Sequence, residues 1–363
     1  MKVVCTQGDL LGKLQIVSRA ASQRPTLQIL SGVLISAGSG IGLAATDMEM
    51  SIRVSVEGRI EEGGSVVVPA RTLLDVVRSL PAGDVTLSQA AGAGTLTVAG
   101  GSSEFVLHTQ AAEDFPQLPE PGGERFSVSR DAFSEIVGQV ARAAGRDESR
   151  PVLTGIQLEF EPGVITMAAT DSYRLAVKRA AVEGSTGAGA AIVPARALTE
   201  LGRVAVDGDT IEVALSENQI VFSGGGAVLS ARRIDGQFPD HRKLLPQAFE
   251  HEVRMGREEF LDVVRRTSVM AQRHIPLRLA FDRGELTVTA QTPDVGEARE
   301  TIPVDWQQER LEIGFNAEFL RDGIESVPGA DVRLRLISPL RPGMLQGADD
   351  SFSYLIMPIR LSS

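Results

Sequence analysis

Short segments of this 363-residue chain return at a nearly constant interval. Val68-Pro69-Ala70-Arg71 reappears 125 residues later as Val193-Pro194-Ala195-Arg196, and Ala44-Ala45-Thr46-Asp47 reappears 124 residues later as Ala168-Ala169-Thr170-Asp171. Phe315-Asn316-Ala317-Glu318 is a fainter third copy of the first segment. The interval is too long for a solenoid repeat and has the size of one domain. The sequence therefore predicts three copies of one domain, at residues 1–120, 121–246 and 247–363.

The pattern inside each copy is that of an α+β domain. Each copy opens with apolar residues at helical spacing, which in the first copy are Leu10, Leu14 and Val17. Alternating strand-like runs and tight turns follow, and a second short helix begins after Pro69 and after Pro194. We therefore expect each domain to pack two helices on antiparallel sheets.

Composition restricts the class of protein. One cysteine, Cys5, excludes an intramolecular disulfide framework, and with four histidines it argues against a structural zinc site. The opening residues show no signal-peptide pattern, and no apolar run reaches the ~18 residues of a membrane span. We therefore expect a cytoplasmic protein with no metal and no cofactor. The net charge of -11 argues against nucleic-acid binding unless basic residues are concentrated on one face.

Asp47 and Asp171 are the best enzymatic candidates in the sequence, because two carboxylates at equivalent positions could share acid–base work. Each follows a threonine at a predicted strand end, where aspartate commonly accepts hydrogen bonds from a turn. The repeat also places them in separate domains. We therefore expect no catalytic residues.

Arginines recur at equivalent places in the copies. Arg71 and Arg78 are two helical turns apart, and Arg196 and Arg203 repeat that spacing. The third copy has glutamates at the corresponding positions. Surface helices commonly carry charges, so only the repetition favours a functional basic face. One arginine also recurs on each opening helix: Arg19, Arg142 and Arg266.

Five segments, spread in order along the whole chain, form a distinctive set. They are Arg24-Pro25-Thr26-Leu27, Asp114-Phe115-Pro116, the run 169–177, the run 235–240 and the C-terminal run 354–361. Together they resemble the bacterial sliding clamp family, the beta subunit of the replicative DNA polymerase III holoenzyme. The C-terminal run, Tyr354-Leu355-Ile356-Met357-Pro358-Ile359-Arg360-Leu361, is the specific one.

The resemblance implies a three-domain chain that dimerises head to tail into a six-domain ring around duplex DNA. Such a homodimer is a processivity factor: it encircles double-stranded DNA without sequence preference and tethers DNA polymerase III, the clamp loader and other proteins that carry clamp-binding peptides. Family members are acidic overall but have a positive channel, and topological retention needs only a modest basic face. The expected DNA-facing residues are Arg24, Arg71, Arg78, Arg142, Arg196, Arg203 and Arg266.

The resemblance also implies a hydrophobic pocket for partner peptides between the second and third domains. Ser172-Tyr173 and Lys243 stand where Gly-His and Arg are frequent in the family, so we expect the rim to select partners or inhibitors differently. The expected pocket residues are Leu153, Thr170, Ser172, Tyr173, Arg174, Leu175, Pro239, Leu244, Leu355, Met357, Ile359 and Arg360. The expected dimer interface joins Phe105 and Leu107, on one face of a strand by period two, to Val269 and Met270.

Three alternatives stay open at this point. The first is an enzyme based on Asp47 or Asp171. The second is a protein-interaction scaffold that does not bind DNA, which the acidic charge permits. The third is a specialised second copy of the clamp that resists inhibitors of the peptide pocket, and one sequence does not distinguish it from the housekeeping copy.

Overall fold

The computed structural model describes residues 1–90, 92–182, 188–204, 208–271 and 275–361. Each third of the chain contains antiparallel strands and helices in the predicted order. None of the helices in these ranges is long and apolar enough to cross a membrane.

The described residues of the N-terminal third form two α-helices and nine strands. In chain order they are β1 Lys2–Thr6, α1 Gln7–Val17, β2 Gly32–Ala37, β3 Ile41–Thr46, β4 Met50–Val56, β5 Gly58–Glu62, β6 Gly64–Pro69, α2 Ala70–Ser79, β7 Asp84–Ser88, β8 Thr95–Gly100 and β9 Ser103–His108.

Among its described residues, the middle third has a similar order with four strands instead of five between its two longer helices, and it adds two single-turn helices. Its elements are β10 Glu124–Ser129, α3 Arg130–Val140, α4 Pro151–Thr154, β11 Gly155–Glu161, β12 Val164–Thr170, β13 Arg174–Ala181, β14 Gly189–Pro194, α5 Ala195–Val204, β15 Thr210–Leu215, β16 Gln219–Gly224, β17 Ala227–Arg232 and α6 His241–Leu244.

In the C-terminal third, the described residues again form two helices, and four strands lie between them. Its elements are β18 His251–Gly256, α7 Arg257–Ser268, β19 Leu277–Asp282, β20 Glu285–Thr292, β21 Gly296–Pro303, β22 Leu311–Phe315, α8 Ala317–Ser326, β23 Asp331–Leu336, β24 Gly343–Gln346 and β25 Phe352–Ile356.

The fold forms two compact units that cut across the three sequence copies. In the first unit, β17 of the middle copy pairs with β4 of the first copy. In the second unit, β13 of the middle copy pairs with β25 of the third. Strand pairing therefore divides the middle copy between the units. The first unit takes the described residues of Met1–Phe133, Glu183–Gly189 and Arg196–Arg233, and the second takes those of Ser134–Val182, Ala190–Ala195 and Ile234–Ser363.

The first unit contains a five-stranded sheet, ordered β5-β1-β7-β8-β9, and an eight-stranded sheet, ordered β10-β15-β16-β17-β4-β3-β2-β6. The predicted apolar face of α1 is buried, since Leu10, Leu14 and Val17 have no exposed surface. Cys5 lies in β1, and burial raises the pKa of its thiol to about 11. The thiol is therefore protonated at neutral pH and packs as a core residue.

The second unit contains an eight-stranded sheet, ordered β14-β11-β12-β13-β25-β24-β23-β18, and a four-stranded sheet, ordered β21-β20-β19-β22. Helix α7 buries Phe260, Val263 and Val264. The chain after β25 returns to the edge strand β22, where the amide of Ile359 donates to the carbonyl of Gly314 at 2.8 Å. This return places the C-terminal segment beside both sheets of the second unit.

Candidate functional site

An apolar groove of about 330 Å³ opens on the second unit. Four segments contribute to it: the turn after β12, the chain leading into α6, the β23–β24 loop and the end of β25. The lining residues are Thr170, Ser172, Tyr173, Arg174, Leu175, Pro239, Leu244, Pro342, Leu355 and Met357.

The floor of the apolar groove is part of the hydrophobic core. Leu175 of β13 and Leu355 of β25 are register partners, and their side chains are 2% and 7% exposed. Both pack in one cluster with Phe238 and Met344. The floor is therefore preformed, because its side chains are held by neighbours that serve the core.

The rim of the apolar groove is unusually exposed for its residue types. Tyr173 is 61% exposed, Leu244 47% and Met357 44%. Large apolar side chains that are exposed together mark sites of protein or ligand association. The groove therefore has the chemistry of a docking site for apolar side chains, with Tyr173 and Met357 on its margin.

A tight turn sets the position of Tyr173. The Thr170 hydroxyl donates to the carbonyl of Arg174 at 2.6 Å and accepts from the amide of Ser172 at 3.2 Å. Asp171 Oδ1 accepts from the amides of Tyr173 and Arg174 at 2.9 and 3.0 Å. Ser172 has φ +81°, in the left-handed region that non-glycine residues rarely adopt. These contacts hold the turn against that strain.

The guanidinium of Arg174 is buried and pairs with two carboxylates. Its Nε donates to Asp171 Oδ2 at 2.9 Å and its Nη1 to Asp322 Oδ2 at 2.7 Å. It also lies 4.3 Å from the ring centroid of Phe319. The hydroxyl of Tyr354 donates to the carbonyl of Phe319 at 3.0 Å, and burial raises the pKa of this hydroxyl. A buried charge needs such partners, so Arg174 ties the turn to α8 rather than presenting a free cation.

Asp47 and Asp171 both serve turns. Asp47 Oδ1 accepts from the amides of Glu49 and Met50 at 3.1 and 2.8 Å, and its Oδ2 accepts from Arg196 Nη1 at 2.7 Å. Met48, with φ +77°, takes the place that Ser172 has in the second turn. The repeated Thr-Asp motif therefore builds the same turn twice and uses both carboxylates for it.

Nine of the twelve residues predicted for the pocket line the apolar groove. The other three lie outside its lining. Leu153 is half-buried in α4 and its carbonyl accepts from the amide of Gly145. Ile359 pairs with Gly314 on the edge of β22, and Arg360 is exposed on the same tail. Pro342 lines the groove and was missed, because a proline in a loop carries no sequence signal of its own.

The seven arginines predicted to face DNA are all exposed. Within the described ranges, Arg24 and Arg71 form no ion pair. The other five each have a carboxylate partner. These carboxylates offset part of the positive charge that the seven arginines carry. The pairs are Arg78 with Asp75, Arg142 with Glu325, Arg196 with Asp47, Arg203 with Glu200 and Arg266 with Glu300.

Three cations meet in a polar groove of about 360 Å³ along α1 in the first unit: Lys13, Arg19 and Arg203. Arg19 lies in a 3₁₀ turn, Ser18–Ala20, directly after α1 rather than within the helix. Glu200 accepts from Arg19 at 3.0 Å and from Arg203 at 2.9 Å. Lys13 had no repeat partner in the sequence and so was not predicted.

The residues predicted for the dimer interface lie on two surfaces. Strand β9 is an edge of its sheet, with Phe105 36% and Val106 60% exposed, whereas Leu107 is only 9% exposed. Val269, directly after α7, is 77% exposed, and Met270 follows it. The exposed apolar surface of β9 therefore includes Val106, which the period-two argument had assigned to the opposite face.

Comparisons with known proteins cover the whole chain. Family profiles described as the N-terminal, central and C-terminal domains of the DNA polymerase III beta subunit match residues 1–119, 127–240 and 242–360. The beta sliding clamp of Streptomyces coelicolor is 35% identical over 377 residues, covering 100% of both chains.

Solved structures agree with the sequence comparison. The sliding clamp of Bacillus subtilis superposes with a TM-score of 0.94 at 26% identity, covering 100% of both chains. A sliding clamp from Pseudomonas aeruginosa bound to griselimycin superposes with a TM-score of 0.93 at 29% identity, covering 99% of this chain and 100% of that one. The resemblance found in the sequence is confirmed over its full length. The chain therefore belongs to the DNA polymerase III beta subunit family, the bacterial beta sliding clamps, and has their three-domain fold.

Proposed function

We propose that this chain is a DNA polymerase processivity factor: two copies close a ring around duplex DNA, and the apolar groove tethers the polymerase and other DNA-processing proteins. The observation that carries the proposal is the preformed apolar groove, with its exposed rim, in a chain that matches sliding clamps from end to end. The three domains extend over residues 1–120, 121–246 and 247–363; the profile matches support a division into three, and the C-terminal profile begins at residue 242. The protein is cytoplasmic, performs no chemistry and needs no cofactor.

The apolar groove suits a short peptide with aliphatic or aromatic anchors. Its floor of Leu175 and Leu355 excludes water, while Tyr173 and Met357 offer adaptable surface at the rim. Methionine is flexible and polarizable, which helps where several partners share one site. The partners are DNA polymerase III, the clamp loader and other proteins with clamp-binding peptides. The griselimycin-bound relative supports a ligand-binding surface in this fold.

The dimer contact joins the first domain of one chain to the third domain of the other. Strands β9 and β21 are both edges of their sheets, and edge strands offer unpaired backbone groups for pairing with another chain. Exposed apolar residues accompany both surfaces: Phe105 and Val106 on β9, and Val269 with Val295 near β21. A head-to-tail contact of this kind, formed twice, closes a two-chain ring.

DNA is held by encirclement, with a weak and collective contribution from the seven arginines. Five of them are already partnered by carboxylates, so each phosphate contact competes with an internal ion pair. Weak contacts suit a ring that must slide, since tight phosphate binding would hold it in place. A specialised clamp that resists inhibitors of the groove would share all these features and differ at its rim.

The test is retention on DNA of different topology. The protein is loaded with its clamp loader onto nicked circular duplex DNA, and one sample is then linearised. A ring stays on the circle and leaves the linear DNA through its ends. Equal retention on both forms contradicts encirclement and indicates ordinary DNA binding, whereas no loading at all favours the scaffold that does not bind DNA. A turnover screen with Asp47→Asn and Asp171→Asn addresses the enzyme alternative.

A further inference from the structure

The C-terminal segment after β25 is attached at two places two residues apart. The amide of Met357 donates to the carbonyl of Tyr173 at 2.8 Å, at the rim of the apolar groove. The amide of Ile359 donates to the carbonyl of Gly314, also at 2.8 Å, on the edge of β22. Met357 therefore enters the groove from a segment whose far end is held by a different sheet.

Gly314 allows the second attachment because it has no side chain. A Cβ at this position would lie 2.8 Å from the carbonyl oxygen of Ile359 and 2.7 Å from Leu361 Cδ2. Contacts below 3.0 Å essentially never occur for a real Cβ, and one of these two atoms belongs to the backbone. Any larger residue at position 314 must push the tail away from β22.

We propose that Gly314, which does not line the groove, is a positioning residue for peptide binding: it seats the tail of Ile359 and Leu361 on β22 and so sets the place of Met357 at the rim. The proposal rests on the function assigned above to the apolar groove. It also gives Ile359 a supporting role, since the amide of Ile359 holds the tail on β22.

The direct test is Gly314→Ala, with a polymerase-derived clamp-binding peptide as the fluorescent probe. We expect the peptide affinity to fall roughly tenfold, because a binding residue held loosely loses most of its preorganised contact. The matched control is Gly42→Ala in β3, where an added Cβ meets only the mobile hydroxyl of Ser36. This control should bind peptide like the wild type.

A rescue separates positioning from a general loss of structure. Two of the three atoms nearest the missing Cβ belong to the Leu361 side chain. In a Leu361→Ala background, Gly314→Ala should therefore cost clearly less affinity than it does alone, a non-additivity expected only of residues in contact. Dimer mass and melting temperature are measured on every sample.

Ile359→Pro provides a second route if Gly314→Ala does not fold. It removes the N–H that bonds to Gly314 and places the proline ring where that hydrogen pointed, so the tail must move away from β22, and peptide binding should also weaken. Wild-type affinity in both Gly314→Ala and Ile359→Pro, together with lost binding in Met357→Ala, overturns the positioning role and leaves the groove intact. Wild-type affinity in Met357→Ala overturns the groove assignment itself.

Discussion

The side-chain hydroxyls of Ser51 and Ser230 lie 2.5 Å apart, across β4 and β17 of the first unit. Leu175 and Leu355 form the corresponding register pair across β13 and β25 of the second unit. Ser51 and Leu175 each follow the same Thr-Asp turn. The two units therefore repeat one backbone arrangement but place a hydrogen-bonded polar pair in one and an apolar pair in the other.

The residues at the rim of the groove also have polar counterparts in the first unit. In the first unit the amide of Arg232 donates to the carbonyl of Glu49 at 2.9 Å, as the amide of Met357 donates to the carbonyl of Tyr173 in the second. The tyrosine and methionine of the rim thus correspond to a glutamate and an arginine. At these positions the first unit therefore lacks the leucine pair and the tyrosine–methionine pair that form the floor and rim of the apolar groove.

We therefore predict one peptide per chain, measured as stoichiometry by isothermal titration calorimetry. The double variant Leu175→Ser with Leu355→Ser should abolish binding, because it converts the floor of the groove to the serine pair of the first unit. Ser51→Ala serves as control and should keep full stoichiometry, although the hydroxyl of Ser230 loses its partner at a cost of about 1 to 3 kcal/mol. Two bound peptides per chain would contradict the assignment.

Met357→Ala should weaken peptide binding by about 2 kcal/mol or more, roughly thirtyfold, because it truncates an anchor at the rim of the groove. Fluorescence anisotropy gives the affinity, and sedimentation of the same sample gives the dimer mass. The ring and its passive retention on closed circular DNA should survive. Loss of the dimer together with peptide binding would mean that Met357 serves folding.

Charged substitutions at Val269 and Met270 should yield monomers, since they place charge in an apolar contact between chains. Analytical ultracentrifugation measures the mass. The matched control is Leu27→Asp, at an apolar residue that is 61% exposed outside the proposed interface. Variants that remain dimeric at low micromolar concentration would rule out this part of the interface.

Replacing Arg71, Arg78, Arg196 and Arg203 together with glutamine should reduce the salt dependence of DNA retention, since each lost phosphate contact lowers the slope by about one. The dimer should persist, because the exposed ion pairs that disappear contribute only about 0 to 1 kcal/mol each. The control replaces four other exposed arginines, Arg59, Arg254, Arg283 and Arg310. An unchanged slope in the first variant would place these arginines away from DNA.

The free energy of unfolding should depend on pH through His241, which lies near the groove. Burial holds the pKa of this imidazole below its usual 6.5, an effect that outweighs the opposing influence of Glu159 and Asp240 and is reinforced by Arg242. The unfolded chain then binds the proton more readily than the folded chain, so the free energy of unfolding should fall as pH falls below 6.5. His241→Asn should flatten this dependence in denaturant titrations between pH 7.5 and 5. An equally steep dependence in the variant would exclude His241 as its cause.

The sequence alone determined the local elements and the repeat. The apolar spacing of Leu10, Leu14 and Val17 predicts a helix and its buried face, because helical periodicity is a property of neighbouring residues. The Thr-Asp motif predicts a turn for the same reason. The C-terminal run of residues 354–361 indicated the family, which the comparisons confirm. The roles of individual groove, interface and DNA-facing residues stay predictions.

Tertiary structure decided what depends on pairing between distant segments. Periodicity does not specify that β13 pairs with β25 or that β17 pairs with β4, and this pairing divides the middle copy between two units. It also places Pro342 in the lining of the groove and pairs Ile359 with Gly314 on β22. The carboxylate partners of Arg142, Arg196 and Arg266 appear only in three dimensions, since Glu325, Asp47 and Glu300 are far from them in sequence. The local sequence pattern indicates which residues are suited to the core and which carry charge, whereas the register of the sheets decides which of these residues come into contact.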